Sequence, residues 1–223
     1  MIEIKSDDYH DFVYKKGEFV GEFEQMYQKS KEIPWHQDKI ENHLEIRIAL
    51  ELVKEFPPFD TICEFGCGLG YYLNTLKNSV NEKCSAIGLD VSQTCCEKAK
   101  QIFPDIEFKT LDLTKDNSEI IKKNGLRKGE NRLLTFRGLL FCVYPNLRNV
   151  IKNITAVSKR GDILLILQNF PPLDSDFMGK DVISSPNDVI DLFSKYFKVI
   201  RTIWIEDFSL HITNNWFLGV FKR

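Results

Sequence analysis

Three glycines at alternate positions, Gly66, Gly68 and Gly70, constrain this chain more than any other feature. They follow Thr61-Ile62-Cys63-Glu64-Phe65, a short apolar, β-prone run of the kind buried in a parallel sheet. Tyr71 to Leu76 then continues as a helix. In that order, the free N–H groups and positive dipole end of a helix face a turn with no side chains in the way. Such an arrangement binds a nucleotide-like ligand at the carboxyl end of a strand. The spacing narrows the ligand. A dinucleotide fingerprint places glycines as G-x-G-x-x-G, and the third glycine of that pattern falls here on Tyr71.

The rest of the chain alternates around this stretch. Residues 11–23 predict a hairpin turning at Lys16-Gly17. Glu24 to Lys31 reads as a short helix, and Pro34 breaks it to leave residues 33–37 as a connector. Ile40 to Glu55 is amphipathic, with Ile40, Leu44, Ile48 and Leu52 on one face. Past the glycine turn, strands are expected at residues 85–90, 106–111, 133–136 and 163–168. Helices are expected from Ser92 to Phe103, over residues 118–123, from Pro145 to Lys159 and from Pro186 to Tyr196. Residues 124–125 read as a turn and 169–185 as a long loop. Two strands in succession, residues 197–206 and 216–222, close the chain. Alternation means an α/β fold, a parallel sheet with helices on both faces, and the closing pair adds an antiparallel hairpin. Two parts are expected: residues 1–39 as a hairpin and lid segment, and residues 40–223 as the main domain.

Composition bounds the function. A net charge of -2 over 223 residues argues against a large phosphate-binding surface, and so against nucleic acid as partner. The six cysteines form no C-x-x-C pair and several fall in expected core elements, which reads as buried free thiols in a reducing compartment. The first eight residues are polar and acidic, unlike a secretory signal, and no apolar run is long enough to cross a bilayer. A soluble cytoplasmic protein is expected, with no metal.

The pattern Glu64-x-Gly66-x-Gly68-x-Gly70 resembles motif I of the class I S-adenosylmethionine-dependent methyltransferases. The resemblance covers residues 55–223. It implies a Rossmann-like seven-stranded mixed sheet in the order 3-2-1-4-5-7-6, with S-adenosyl-L-methionine as cofactor. It also implies positions for the cofactor. Glu64 lies near the methionine amino group, and Gly66, Gly68 and Gly70 form the loop beneath it. Asp90, about twenty residues past the turn, accepts from ribose hydroxyls. Its plainer reading is a loop or cap acid ahead of Ser92. Asp112 faces the adenine amino group and the backbone of Leu113 the ring. Asp112 is otherwise a turn residue before Thr114.

Strand four departs from the family. Many relatives carry a Gly-Val-Leu-His-His-Ile-Pro-like run where this chain has Gly138-Leu-Leu-Phe-Cys-Val-Tyr-Pro145. Phe141 and Cys142 stand at the histidine positions, so no base can be assumed there. Arg137 lies near the methionine end, either as an anion ligand or as one half of a strand-end salt bridge. Candidate bases are His36 in the Pro34-Trp-His-Gln37 connector, and His211 with Asp207 in the last connection. Trp35, Tyr71 and Tyr72 pack beside the cofactor or in the core.

The N-terminal pattern Lys15-Lys-Gly-Glu-Phe-Val-Gly-Glu-Phe23 through Pro34-Trp-His-Gln37 resembles small bacterial methyltransferases that modify sugars or surface polysaccharides. It resembles the nodulation-factor N-methyltransferases more distantly. This implies a small polar acceptor: a hydroxyl, amine or phosphate-like substituent of a sugar in surface glycan biosynthesis. Two alternatives stand beside it. A nucleic-acid methyltransferase is disfavoured by the charge and by the absence of an Asn/Asp-Pro-Pro-Tyr/Phe motif after strand four. A non-catalytic cofactor-binding module of the same fold is kept open by Phe141 and Cys142.

Overall fold

A computed structural model describes residues 9–80, 83–115, 126, 129–206 and 215–223. The expected helix over residues 118–123, the turn at 124–125 and the connection bearing Asp207 and His211 lie outside the described residues. The chain enters through a 3-10 turn, Tyr9–Phe12, and a hairpin of β1 (Tyr14–Lys15) and β2 (Glu18–Phe19). The hairpin turns where expected: Lys16 and Gly17 both have positive φ, 52° and 81°. Helix α1 (Phe23–Lys29) follows, then a 3-10 run over Pro34–Asn42 and α2 (Leu44–Lys54).

β3 (Thr61–Phe65) is the central strand, and all five of its residues are buried. α3 (Tyr71–Val80) leaves the glycine turn directly. β4 (Ser85–Asp90) and β5 (Glu107–Thr110) extend the sheet on one side, joined by α4 (Gln93–Ile102). β6 (Arg132–Arg137) and β7 (Ile163–Phe170) extend it on the other, joined by α5 (Leu140–Val143) and α6 (Leu147–Val157). After α7 (Pro186–Ser194) come β8 (Lys198–Ile205) and β9 (Asn215–Lys222). β3 to β7 pair in parallel; β9 pairs antiparallel with both β7 and the edge strand β8. The order β5-β4-β3-β6-β7-β9-β8 is the expected 3-2-1-4-5-7-6, counted from the first strand of the large sheet.

Two apolar layers sandwich the sheet. Val150, Ile154 and Phe193 cover one face, and Ile46, Leu73 and Leu76 the other. At the strands' amino ends, the buried Arg132 guanidinium pairs with Asp162 and donates to the Leu126 and Val157 carbonyls at 2.7 and 2.9 Å. Burying that charge is tolerable because its hydrogen bonds are met.

Two expectations are corrected. α2 begins at Leu44, not Ile40, because the 3-10 run occupies the preceding residues. Ile40 is buried from that run, while Leu44 is 45% exposed. The buried stripe is Ile46, Ala49, Leu52 and Val53. The helix expected to start at Pro145 is also broken. Four residues of α5 come first, and Pro145 sits in a 3-10 turn, Tyr144–Asn146, ahead of α6.

Candidate ligand site at the carboxyl edge of the sheet

Parallel register aligns the strand ends. Glu64 pairs with Gly88 and Thr135, and Asp90 with Thr110. Glu64, Asp90, Asp112 and Arg137 therefore meet along one edge, where a cavity of about 910 Å3 opens. Gly66 and Gly68 line it as well. All three glycines of the turn have positive φ, between 53° and 83°. Their neighbours differ. A Cβ on Gly66 would stand 2.7 Å from the Leu139 side chain and one on Gly70 2.6 Å from the Phe108 ring. A Cβ on Gly68 would overlap the amide of Gln37. Gly70 is thus required by packing and does not line the cavity.

Glu64 is 2% exposed, and its Oε2 has no hydrogen-bond partner. The Leu73 N–H, in the first turn of α3, donates to the carboxyl. Burial pushes this carboxyl well above its ordinary range; the Arg137 charge opposes the rise and Asp90 adds to it. An orphaned buried carboxylate oxygen in a cavity wall suits an ammonium ligand.

Asp90, 8% exposed, braces the turn. Its Oδ2 accepts from Gly68 N–H and its Oδ1 from Ser92 N–H, both at 3.0 Å. Burial raises its carboxyl, against those backbone bonds. A carboxylate has about four lone-pair sites, so two bonds leave capacity for ligand hydroxyls. The cap reading belongs to its neighbour: the Ser92 hydroxyl accepts from Cys95 N–H at 3.0 Å. Asp112 forms the turn expected of it, with Oδ1 accepting from Thr114 N–H and Oγ1 at 2.9 and 2.5 Å. Burial pushes its carboxyl up, but the bonds from Thr114 and Lys115 outweigh it and hold the group below its usual range. Buried Asn153 donates to the Leu113 carbonyl at 2.9 Å, fixing that backbone beside the cavity.

Arg137 is the strand-end salt bridge. Its Nη2 donates to Glu45 Oε1 at 2.7 Å and lies 3.1 Å from His43 Nδ1. The guanidinium stacks 4.7 Å from the Trp216 ring. The residue lines the cavity, and its buried Nε is an unpartnered donor.

The connector splits its residues between two sides. Trp35 and His36 take left-handed backbone, φ 52° and 47°. Trp35 and Gln37 turn to the cavity, and His36 is exposed over a shallow depression with Glu32 and Asp38. His36 is thus not brought to the cavity. Among the described residues the histidine that lines it is His10, stacked on Tyr9 at 4.1 Å between ring centroids. Of the aromatic neighbours expected, Trp35 and Tyr72 line the cavity and Tyr71 packs against Phe103 instead.

The N-terminal segment closes over the turn. Gln37 Oε1 accepts from Leu69 N–H at 2.7 Å, and its Nε2 donates to the Tyr27 hydroxyl at 3.1 Å. Glu24 accepts from Ser92 Oγ at 2.6 Å and Thr94 Oγ1 at 2.5 Å, tying α1 to the start of α4. Tyr9, Val13, Met26 and Tyr27 bury themselves against Leu69 and Cys95. Nothing in the sequence marked Gln37 or Glu24, since each acts on residues dozens of positions away, and nothing local places His10 at the cavity. All six cysteines are free, five of them buried. Among the described residues no cluster could hold a metal, and no helix is long and apolar enough to cross a membrane.

This architecture is the class I fold of S-adenosylmethionine-dependent methyltransferases. A methyltransferase from Anabaena variabilis superposes with a TM-score of 0.66 at 16% identity, over 95% of this chain and 98% of the other. The N-methyltransferase NodS from Bradyrhizobium japonicum, solved with S-adenosyl-L-homocysteine, gives 0.64 at 14% identity over 90% and 97%. A methyltransferase from Methanosarcina mazei gives 0.57 at 14% over 78% and 96%. No family model and no curated sequence matches the chain.

Proposed function

We propose that the protein transfers a methyl group from S-adenosyl-L-methionine to a small-molecule acceptor. The observation that carries this reading is Glu64 Oε2, buried without a partner in the cavity wall beside the glycine turn. The cofactor, when bound, supplies a methyl on a sulfonium, an electrophile that needs no metal. Glu64 would meet its ammonium group, Asp90 its ribose hydroxyls, and Asp112 with the Leu113 backbone its adenine. Arg137, with its Nε unpartnered, would meet an anionic group at the methionine end. Residues 1–39 act as the cover over a domain of residues 40–223. Their task is to exclude water and hold the acceptor in line, at about 3–3.5 Å from the methyl.

The acceptor end offers little base strength. Burial pushes Tyr14 and Cys142 up to about 12, so both keep their protons at neutral pH. His10 is then the group to test where an acceptor needs deprotonation. The sugar acceptor expected above rests on the N-terminal pattern. Likeness in fold to NodS, an N-methyltransferase, supports the amine among the candidate groups. A net charge of -2 supports a small acceptor over nucleic acid.

Calorimetry tests the cofactor. S-adenosylhomocysteine should bind and NAD should not. Asp90→Ala should weaken binding by about 1.5–3 kcal/mol, the scale of a hydrogen bond to a charged group. Unchanged affinity in the folded variant would remove Asp90 from the ribose role. Cofactor binding with no labelled methyl transferred to any acceptor would favour a non-catalytic module.

A further inference from the structure

The cavity is unevenly built. Every carboxylate among its described lining residues, Glu64, Asp90 and Asp112, belongs to the strand ends β3, β4 and β5. Strands lie about 4.8 Å apart, so these groups hold one half of the edge while β6 and β7 carry the other. That second half is aromatic and sulfur-rich. Tyr14 and Phe19 reach it from the hairpin, Phe141 and Cys142 from α5, and Phe177 and Met178 from the loop after β7.

These rings are braced. Phe141 lies edge-to-face with both Phe170 and Phe177, each 5.5 Å between centroids. Phe19 lies the same way against Tyr144 at 5.5 Å and Tyr14 at 5.9 Å. Gly179 joins the two groups, since a Cβ there would stand 3.0 Å from Tyr144 and 3.4 Å from Phe141. Phe141, Phe177 and Met178 are only half-buried, so their apolar surface faces the cavity. Rings held rigid in this way recognise a flat π-system by stacking and edge contacts, at low entropic cost. A sugar would instead need several side-chain hydrogen-bond partners, and unmet hydroxyls are costly when buried. Tyr14, Asn146 and Asn169 are the polar side chains this half offers beside Arg137, fewer than its rings, and Asn169 Oδ1 already accepts from Gln168 at 3.1 Å.

We infer that the acceptor is an aromatic small molecule, its ring system lodged between the hairpin aromatics and the Phe141–Phe177 wall. This rests on the methyltransferase reading for the other half of the cavity, and the test separates the two. Calorimetry is run on the full chain, with and without S-adenosylhomocysteine, using 2-naphthol, its saturated analogue decahydro-2-naphthol, and methyl glucoside. Expected is binding of 2-naphthol at least about tenfold tighter than either other probe. Phe141→Ala and Phe177→Ala should each weaken naphthol about tenfold while S-adenosylhomocysteine affinity stays within twofold, which also shows the variants are folded. Equal binding of the saturated analogue, preference for the glucoside, or no effect of either variant overturns the inference. Naphthol binding with no S-adenosylhomocysteine binding overturns the cofactor reading and leaves the aromatic compartment standing.

Discussion

Gln37 holds Leu69 across thirty-two positions of sequence, its Oε1 2.7 Å from the Leu69 backbone nitrogen. The same amide occupies the space that a Cβ on Gly68 would need. Gly68→Ala therefore meets two penalties, left-handed backbone at φ 53° and a clash with Gln37. The backbone part alone is about 1–2 kcal/mol. Gln37→Ala should remove the clash, so the double variant should be more stable than the sum of the two single effects. Denaturant titration of the four proteins measures the coupling. Additive losses would show that only backbone strain forbids a side chain there.

Glu64 sets a pH dependence. Its folded-state carboxyl lies well above its ordinary range, with burial as the main cause. The folded protein therefore holds a proton that the unfolded chain gives up near pH 4.3, and stability falls as pH rises from there. Glu64→Gln should raise the melting temperature at neutral pH and flatten this fall. It should also weaken S-adenosylhomocysteine by about tenfold or more, because the bound ammonium favours the ionised carboxylate and a glutamine has no such charge to offer. A variant with unchanged melting temperature and unchanged affinity would leave Glu64 without the proposed role.

The two histidines of the N-terminal segment should separate in kinetics. His36 faces away from the cavity, and His36→Ala should change kcat by less than about twofold, the range of a surface substitution. His10 lines the cavity, and His10→Ala should lower kcat by about 10²–10⁴-fold on an acceptor that must lose a proton. Equal, small effects from both would mean that the acceptor needs no protein base.

The N-terminal segment is fixed by Glu24 as well as by packing. Hydrogen bonds from Ser92, then Thr94, hold its carboxyl below the ordinary range, against a smaller effect of burial. Its contribution is present above the unfolded value near pH 4.3 and is lost as pH falls through the lower folded value. Protection against hydrogen exchange over residues 23–29, taken relative to the intrinsic exchange rate at each pH, should fall in that acid window, before protection in β3 does. Deleting residues 1–39 should keep the seven-stranded sheet and abolish turnover. Full activity of the truncated chain would show that these residues do not act as a cover.

What the sequence made legible is what it encodes locally. The run Thr61–Phe65, the turn at Lys16-Gly17 and the cap at Ser92 each carry their signal within a few residues. Strand order followed from the alternation of elements, because crossover connections permit few topologies. The contacts that complete the site are not local. Gln37 reaches Leu69, Glu24 reaches Thr94, and Arg137 reaches Glu45. Trp35 and His36 turn left-handed with no glycine or asparagine to announce it, and that turn sends His36 outward. The aromatic compartment was hidden too. Tyr14, Phe141 and Phe177 come from a hairpin, the run after strand four and a long loop, and no local signal joins them.

Burial of Met26 and Tyr27 against Leu69 and Cys95 has a consequence for how the protein is made. This segment is synthesised before the surface it packs on, which arrives some forty to seventy residues later. Until Leu69 and then Cys95 of α4 have left the ribosome, Met26 and Tyr27 lack the apolar partners they later bury against. The nascent chain thus carries an exposed apolar and aromatic patch through the early part of its synthesis, a target for any chaperone waiting at the exit tunnel.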